Sequence, residues 1–267
     1  MMHSEQISLL RELFEEDQFE RLSLFQIKPL IMNLKIDQIH SAISELEKAK
    51  NEKNEEGIFS KEFIERISSF IKRLNGISTQ NLDSLKKEFE SVNFEKLNFN
   101  DTLRRKEVSK LMSLIINSSA IDNYCAAVIY NHGVNNDDAN LAFNYSTRAL
   151  ESIKMHDNSS FAKKIRDEYS FTFDRNQLTQ GKPQLYGTSY AAKDDLSKGW
   201  KKDELIPPFI GYQYDREQME KARNELGIKS LVQQELDWGI RKTDVVSTPV
   251  GQTANFSITS SRNLNRK

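Results

Sequence analysis

The sequence predicts an all-α protein, and three observations carry that expectation. Apolar residues recur at helical spacing through most of the chain. Hydrophobic residues make up 37% and charged residues 29%, a balance that suits amphipathic helices with wide solvated faces. Of the glycines, only Gly57 and Gly76 precede His132, whereas Gly181, Gly187, Gly199 and Gly211 crowd together with Pro183, Pro207 and Pro208. The chain therefore reads as mainly helical, interrupted by one ordered Gly/Pro-rich loop region over residues 179–213 and at most a short hairpin.

Taken in order, Ile7, Leu10 and Phe14 open one amphipathic stripe, and Ile36, Ile39, Ile43 and Leu46 form a second. The charged run over residues 48–57 reads as a solvated helix end and loop. A third stripe, Phe63, Ile67, Phe70, Ile71 and Leu74, has a legible start: Ser60 is an N-cap, Phe59 can close over Ile64 as a hydrophobic staple, and Gly76 marks the end. Leu82, Leu85, Phe89 and Val92 make a fourth. The polar stretch over residues 93–101 then reads as irregular chain and as the boundary between an N-terminal helical region, residues 1–100, and a helical domain, residues 101–238.

In that second part Val108, Leu111, Met112, Ile115 and Ile116 line one stripe, and Ile121, Cys125, Val128, Ile129 and His132 line the next, which Gly133 terminates. A helix capped within residues 135–138 carries Ala139, Phe143, Ser146, Leu150 and Ile153. The next, capped near Asp157 or Asn158, carries Phe161, Ile165, Tyr169 and Phe173 and delivers Asp174 and Arg175 into the loop region. Asp215 caps a helix with Met219, Ala222 and Leu226 on its apolar side and Gly227 as its stop. A short helix from Ser230 to Trp238 closes the domain, and residues 239–267 read as a polar, disordered tail.

Composition excludes several functions. A formal net charge of −1 gives no whole-molecule field to attract nucleic acid or an anionic membrane. Cys125 is the single cysteine, which excludes an intrachain disulfide and a cysteine-based zinc cluster, and its apolar neighbours predict a buried, inert thiol. His3, His40, His132 and His156 include no pair at the i, i+4 spacing of a metal-binding helix, so no metal site is expected, and no cofactor is specified. The N-terminus lacks the basic start and unbroken apolar stretch of a signal peptide, and no run approaches the roughly 20 apolar residues of a membrane span. The expectation is a soluble, cytoplasmic protein, although secretion without a cleaved signal would leave no trace in the sequence.

The polar residues of interest lie at the end of the helical pattern. His132 at a helix terminus could act as a general base or pack as a structural histidine. Asp174 and Arg175 are adjacent, so on a helix they point about 100° apart and each requires its own partner. Asp174 could orient an imidazole or activate a water, and Arg175 could present a bidentate fork to a phosphate or carboxylate. Equally, Asp174 could cap loop amides while Arg175 clamps loop carbonyls. Gln184, Tyr186 and Thr188 alternate, so in an extended segment they share one face, either as a reading surface for a polar ligand or as a turn held by those same side chains.

At these positions the chain resembles an uncharacterised bacterial family, a domain of unknown function. Its pattern is Gln-His-Gly, then Asp-Arg, then Gly-x-Pro-Gln-x-Tyr-Gly-Thr-Gln. The corresponding residues are Asn131-His132-Gly133, Asp174-Arg175 and Gly181-Lys182-Pro183-Gln184-Leu185-Tyr186-Gly187-Thr188-Ser189, with a downstream Pro-rich turn and Leu226-Gly227. The resemblance covers residues 110–238 and departs at Asn131 and Ser189. It implies that the polar cluster recurs in other chains and supplies no activity.

Two functions follow as expectations. In the first, His132 and Asp174 are catalytic and Arg175, Gln184, Tyr186 and Thr188 bind a polar, anionic small molecule, in a hydrolytic or group-transfer reaction. In the second, the chain is a non-enzymatic helical interaction module that engages a protein partner through residues 1–100, and the motif loop is structural. The sequence leaves open whether the chain is an enzyme.

Overall fold

The computed structural model describes residues 2–77, 79–133, 135–154, 157–188, 191–192, 205–206 and 216–237. The fold is all-α, as the periodicity predicts; the described exception is a two-residue antiparallel pairing of Ala191 with Ile206 and Ala192 with Leu205. No described helix is long and apolar enough to cross a membrane. Two compact units are present, Met1–Cys125 and Ala126–Lys267. The division therefore falls later than the 100/101 boundary read from the sequence. The expected tail, residues 239–267, lies outside the described residues, as do Ser189, Asp215, Trp238, His156 and most of the Gly/Pro-rich loop.

The first unit begins with α1 (Met2–Leu22), a π-helical turn (Ser23–Ile27) and α2 (Lys28–Asn33). Pro29 explains the wide turn. In a regular helix its ring would press on the Phe25 carbonyl and its missing N–H would break the ladder; instead Lys28 N–H reaches back five residues to Ser23 O. A 3₁₀ turn (Ile36–Gln38) then leads to α3 (Ile39–Glu56). Ile36 is exposed in that turn, so the buried face of α3 is Ala42 and Leu46, with Ile39 and Ile43 beside it. The charged run continues α3 as helix to Glu56, and Gly57 closes it at φ +68.

Next come α4 (Lys61–Asn75) and α5 (Thr79–Glu90). Ser60 caps α4, its Oγ accepting from Phe63 N at 3.1 Å, and Glu15 in turn accepts from Ser60 N and Oγ at 2.5 and 2.8 Å. Phe59 stacks on Phe63 at 4.4 Å and on Phe14 at 5.6 Å, so its anchoring partner is one position before the expected Ile64. Gly76 follows α4 without the left-handed conformation of a typical glycine stop. Phe63, Ile67, Ile71 and Leu74 join Leu82, Leu85 and Phe89 in one core with Leu22, Ile27, Ile31, Leu34, Ala42 and Leu46.

The stretch read as an irregular boundary is the start of α6 (Phe94–Leu114), capped by Asn93, whose Oδ1 accepts from Lys96 N at 2.9 Å. Its buried face is Leu97, Asp101, Arg104, Val108 and Leu111, a helical stripe with two charges in it. Those charges face α1. Arg21 Nη2 donates to Asp101 Oδ2 at 2.7 Å and Arg21 Nε to Asp17 Oδ1 at 3.0 Å, while Arg104 meets Asp101 at 3.1 Å and Glu20 at 2.5 Å. Burial pushes the Asp101 carboxyl up to about 6; Asp17 adds to the rise, and Arg21 and Arg104 oppose it.

α7 (Ala120–Tyr130) is buried nearly all round from Asp122 to Tyr130. Cys125 is 1% exposed and burial pushes its thiol far above the usual range, which agrees with an inert, packed cysteine. In the second unit, α8 (Asn136–Glu151) packs on α9 (Ser160–Thr179). The buried face of α8 is small, Ala139, Ala142, Ser146 and Ala149, with Ser146 Oγ 2.5 Å from Thr172 Oγ1. Ser159 caps α9 in place of the expected Asp157 or Asn158. α10 (Arg216–Leu226) ends at Gly227, φ +71, and α11 (Leu231–Asp237) follows.

Candidate functional site

α9 does not stop at Asp174 but continues to Thr179, so Asp174 and Arg175 sit on helical backbone and diverge as adjacent helical positions must. Gly181 turns left-handed at φ +68 and Lys182 N donates to Gln177 O at 2.9 Å, which folds the chain back along the helix it has just left. The loop consequently passes over Asp174.

Asp174 is fully buried and takes four hydrogen bonds. Oδ1 accepts from Leu185 N at 2.8 Å and Tyr186 N at 2.9 Å; Oδ2 accepts from Thr188 N and Thr188 Oγ1, both at 2.8 Å. Burial pushes this carboxyl above the ordinary range, against the pull of those donors. Arg175 points elsewhere. Its Nη1 donates to Asn131 O and, at 3.1 Å, to Asn131 Oδ1, and its Nη2 donates to Gly133 O. Asn131 Nδ2 donates onward to Glu168 Oε1 at 2.8 Å, so Arg175 and Glu168 hold the C-terminal turn of α7 from two positions on α9.

Gln184, Tyr186 and Thr188 are all buried and Leu185 is half-buried, but Gly187 is buried too and the chain bends at Leu185 and Tyr186, so burial does not alternate through the segment as expected. Their polar atoms turn inward. The Tyr186 ring packs edge-on against Tyr169 at 6.1 Å and Phe173 at 5.4 Å, and burial pushes its phenol upward. His132 is half-buried between Asn131 and Gly133, the two residues whose carbonyls Arg175 takes. The fold thus brings Asp174 together with Leu185, Tyr186 and Thr188, and Arg175 together with the chain on either side of His132.

Gly133 has a different role from the one its position after α7 suggests. It is not left-handed; a Cβ there would come within 2.1 Å of Asp138 Oδ2 and 2.3 Å of Asp138 Cβ, so close approach is what demands glycine.

Sequence reasoning missed a third clamp. Arg223 of α10 is 2% exposed; Nε donates to Lys229 O at 2.6 Å, Nη1 to Tyr186 O at 2.5 Å, and Nη2 to Gln234 Oε1 at 2.8 Å. Gln234 Nε2 then donates to Gly187 O at 3.1 Å, and Gly187 itself is left-handed at φ +62. The signal was present: Arg223 lies four residues after Met219 and three before Leu226, a charge on the apolar face of its helix. Comparison with protein-family models, with curated proteins and with solved structures found no match.

Proposed function

We propose that the chain is a non-enzymatic, all-helical interaction protein in which the segment from Asp174 to Thr188 is a structural lock. The observation that carries this reading is the saturation of Asp174, whose two oxygens each accept two hydrogen bonds from the loop above them. A carboxylate that is to activate water or orient an imidazole needs a lone pair directed at that water or imidazole N–H, and these are spent on Leu185, Tyr186 and Thr188. Arg175 supports the same reading, because its fork is engaged by Asn131 and Gly133. Partner binding falls to the first unit, where Phe99, 65% exposed, and Leu103, 48% exposed, stand one turn apart on α6.

The test is a thermal-shift screen of nucleotides, sugar phosphates and dinucleotides on the wild type and on Tyr186→Phe and His132→Gln. The expectation is that no compound stabilises the wild type in a way that either substitution abolishes. A compound whose stabilisation disappears in either variant, while the variant itself stays folded, overturns the lock reading in favour of a ligand site built on His132, Asp174 and Arg175.

A further inference from the structure

Four guanidinium groups are buried among the described residues, those of Arg104, Arg166, Arg175 and Arg223. Three have acceptors: Arg104 faces Asp101 and Glu20, Arg175 takes the carbonyls of Asn131 and Gly133, and Arg223 takes Lys229, Tyr186 and Gln234. Arg166 is the exception. It is 4% exposed, and its Nε and Nη1 are buried with no hydrogen-bond partner.

The position of Arg166 accounts for its being held but not for its being satisfied. It projects from α9 onto the bare backbone of Gly227, where a Cβ would lie 3.5 Å from Nε and 4.0 Å from Cζ. Gly227 ends α10, and the negative end of a helix dipole attracts a cation. Yet the turn carries its own hydrogen bonds, Gly227 N to Asn224 O at 3.1 Å and Ile228 N to Arg223 O at 3.1 Å, and accepts none from Arg166. Asp157 feels the charge of Arg166, but its Oδ1 accepts from Ser159 N at 2.8 Å. Glu168, two residues along α9, accepts from Asn131. A buried guanidinium with vacant donors is costly, and a charge-assisted acceptor is what relieves it.

We propose that Arg166, seated over Gly227, anchors a binding site for a small oxyanion, a carboxylate or a phosphate. This is independent of the lock reading, since neither Arg166 nor Gly227 bonds to Asp174, Arg175 or the loop between Leu185 and Thr188. It makes opposite demands on the free and the liganded protein. Without an anion, Arg166→Met replaces an unmatched charge by an apolar chain of similar length and stabilises the fold. With an anion, only the wild type gains.

The experiment is thermal unfolding of the full chain with sodium phosphate and, separately, sodium acetate, each titrated at constant ionic strength, on wild type, Arg166→Met and Arg166→Lys. The expected result is a saturable rise in wild-type Tm with at least one anion, a reduced rise in Arg166→Lys, and a flat response in Arg166→Met from a higher starting Tm. The two probes separate phosphate from carboxylate recognition. A flat wild-type response, or a rise that Arg166→Met shares in full, overturns the site. Should Arg166→Met not fold, the comparison of wild type with Arg166→Lys decides alone: equal responses overturn it.

Discussion

Asp174 accepts four hydrogen bonds in a place from which water is excluded. An amide in its place can accept on one atom only and turns its NH2 towards donors that already point inward. Asp174→Asn is therefore expected to cost about 2–4 kcal/mol, because it strands buried N–H groups without acceptors. Thr188→Val, which removes only the hydroxyl bond, should cost about 1 kcal/mol. Urea unfolding of both variants measures this, and an Asp174→Asn midpoint equal to wild type would show that the carboxylate does not hold the loop. Asp101 makes a second statement at this scale. Its folded pKa of about 6 lies above the ordinary Asp value, so the native state binds the proton more tightly than the unfolded chain. The stability it contributes is full below about pH 4 and is lost as pH rises through 6. Asp17 faces the same two guanidiniums, and its charge adds to the rise at Asp101. The urea midpoint should fall between pH 4 and pH 6.5 by more in wild type than in Asp101→Asn; parallel profiles would contradict the shift.

Among the elements, α4 shows what a cap contributes when a neighbouring helix reinforces it. Ser60 accepts from Phe63 N, and Glu15 of α1 binds both Ser60 N and Ser60 Oγ. Ser60→Ala is expected to cost about 1–2 kcal/mol, the upper part of the range for a cap, since Glu15 loses one partner as well. Denaturant unfolding checks the size; a change under about 0.3 kcal/mol would mean that the cap is dispensable. α4 was legible in the sequence because everything that starts it is local: Ser60, then an uninterrupted apolar stripe. α6 was not. Its stripe carries Asp101 and Arg104 at core positions, which local reading takes for solvated chain, and only their partners Arg21 and Glu20, some 80 residues away, make them buried residues. The same cause hid the continuation of α9 beyond Asp174, since Asp174, Arg175 and Asn176 are all buried polar residues on that helix.

For the whole molecule, helix content and most of the apolar core could be read from periodicity, and the motif around Asp174 to Thr188 could be located from its Gly/Pro punctuation. The partners could not. Nothing in the spacing of Arg223, Gln234 or Glu168 says that they close on Tyr186, Gly187 and Asn131, because each bond spans 37 or more residues. The division between units likewise falls inside α7, where no composition shift marks it.

The lock is unequal in its closure lengths. The bonds from Asp174 to the loop join residues 11 to 14 apart, whereas Arg175 reaches across 42 and 44 residues and Arg223 across 37. Since the entropy of closing a loop grows with the logarithm of its length, the Asp174 contacts are the least costly of the set to form. The end of α9 with its returning loop can thus assemble before either long-range clamp is in place. The carbonyls of Tyr186 and Gly187 would then be in position before Arg223 and Gln234 arrive, an order that the short spacing of one aspartate from three amides favours.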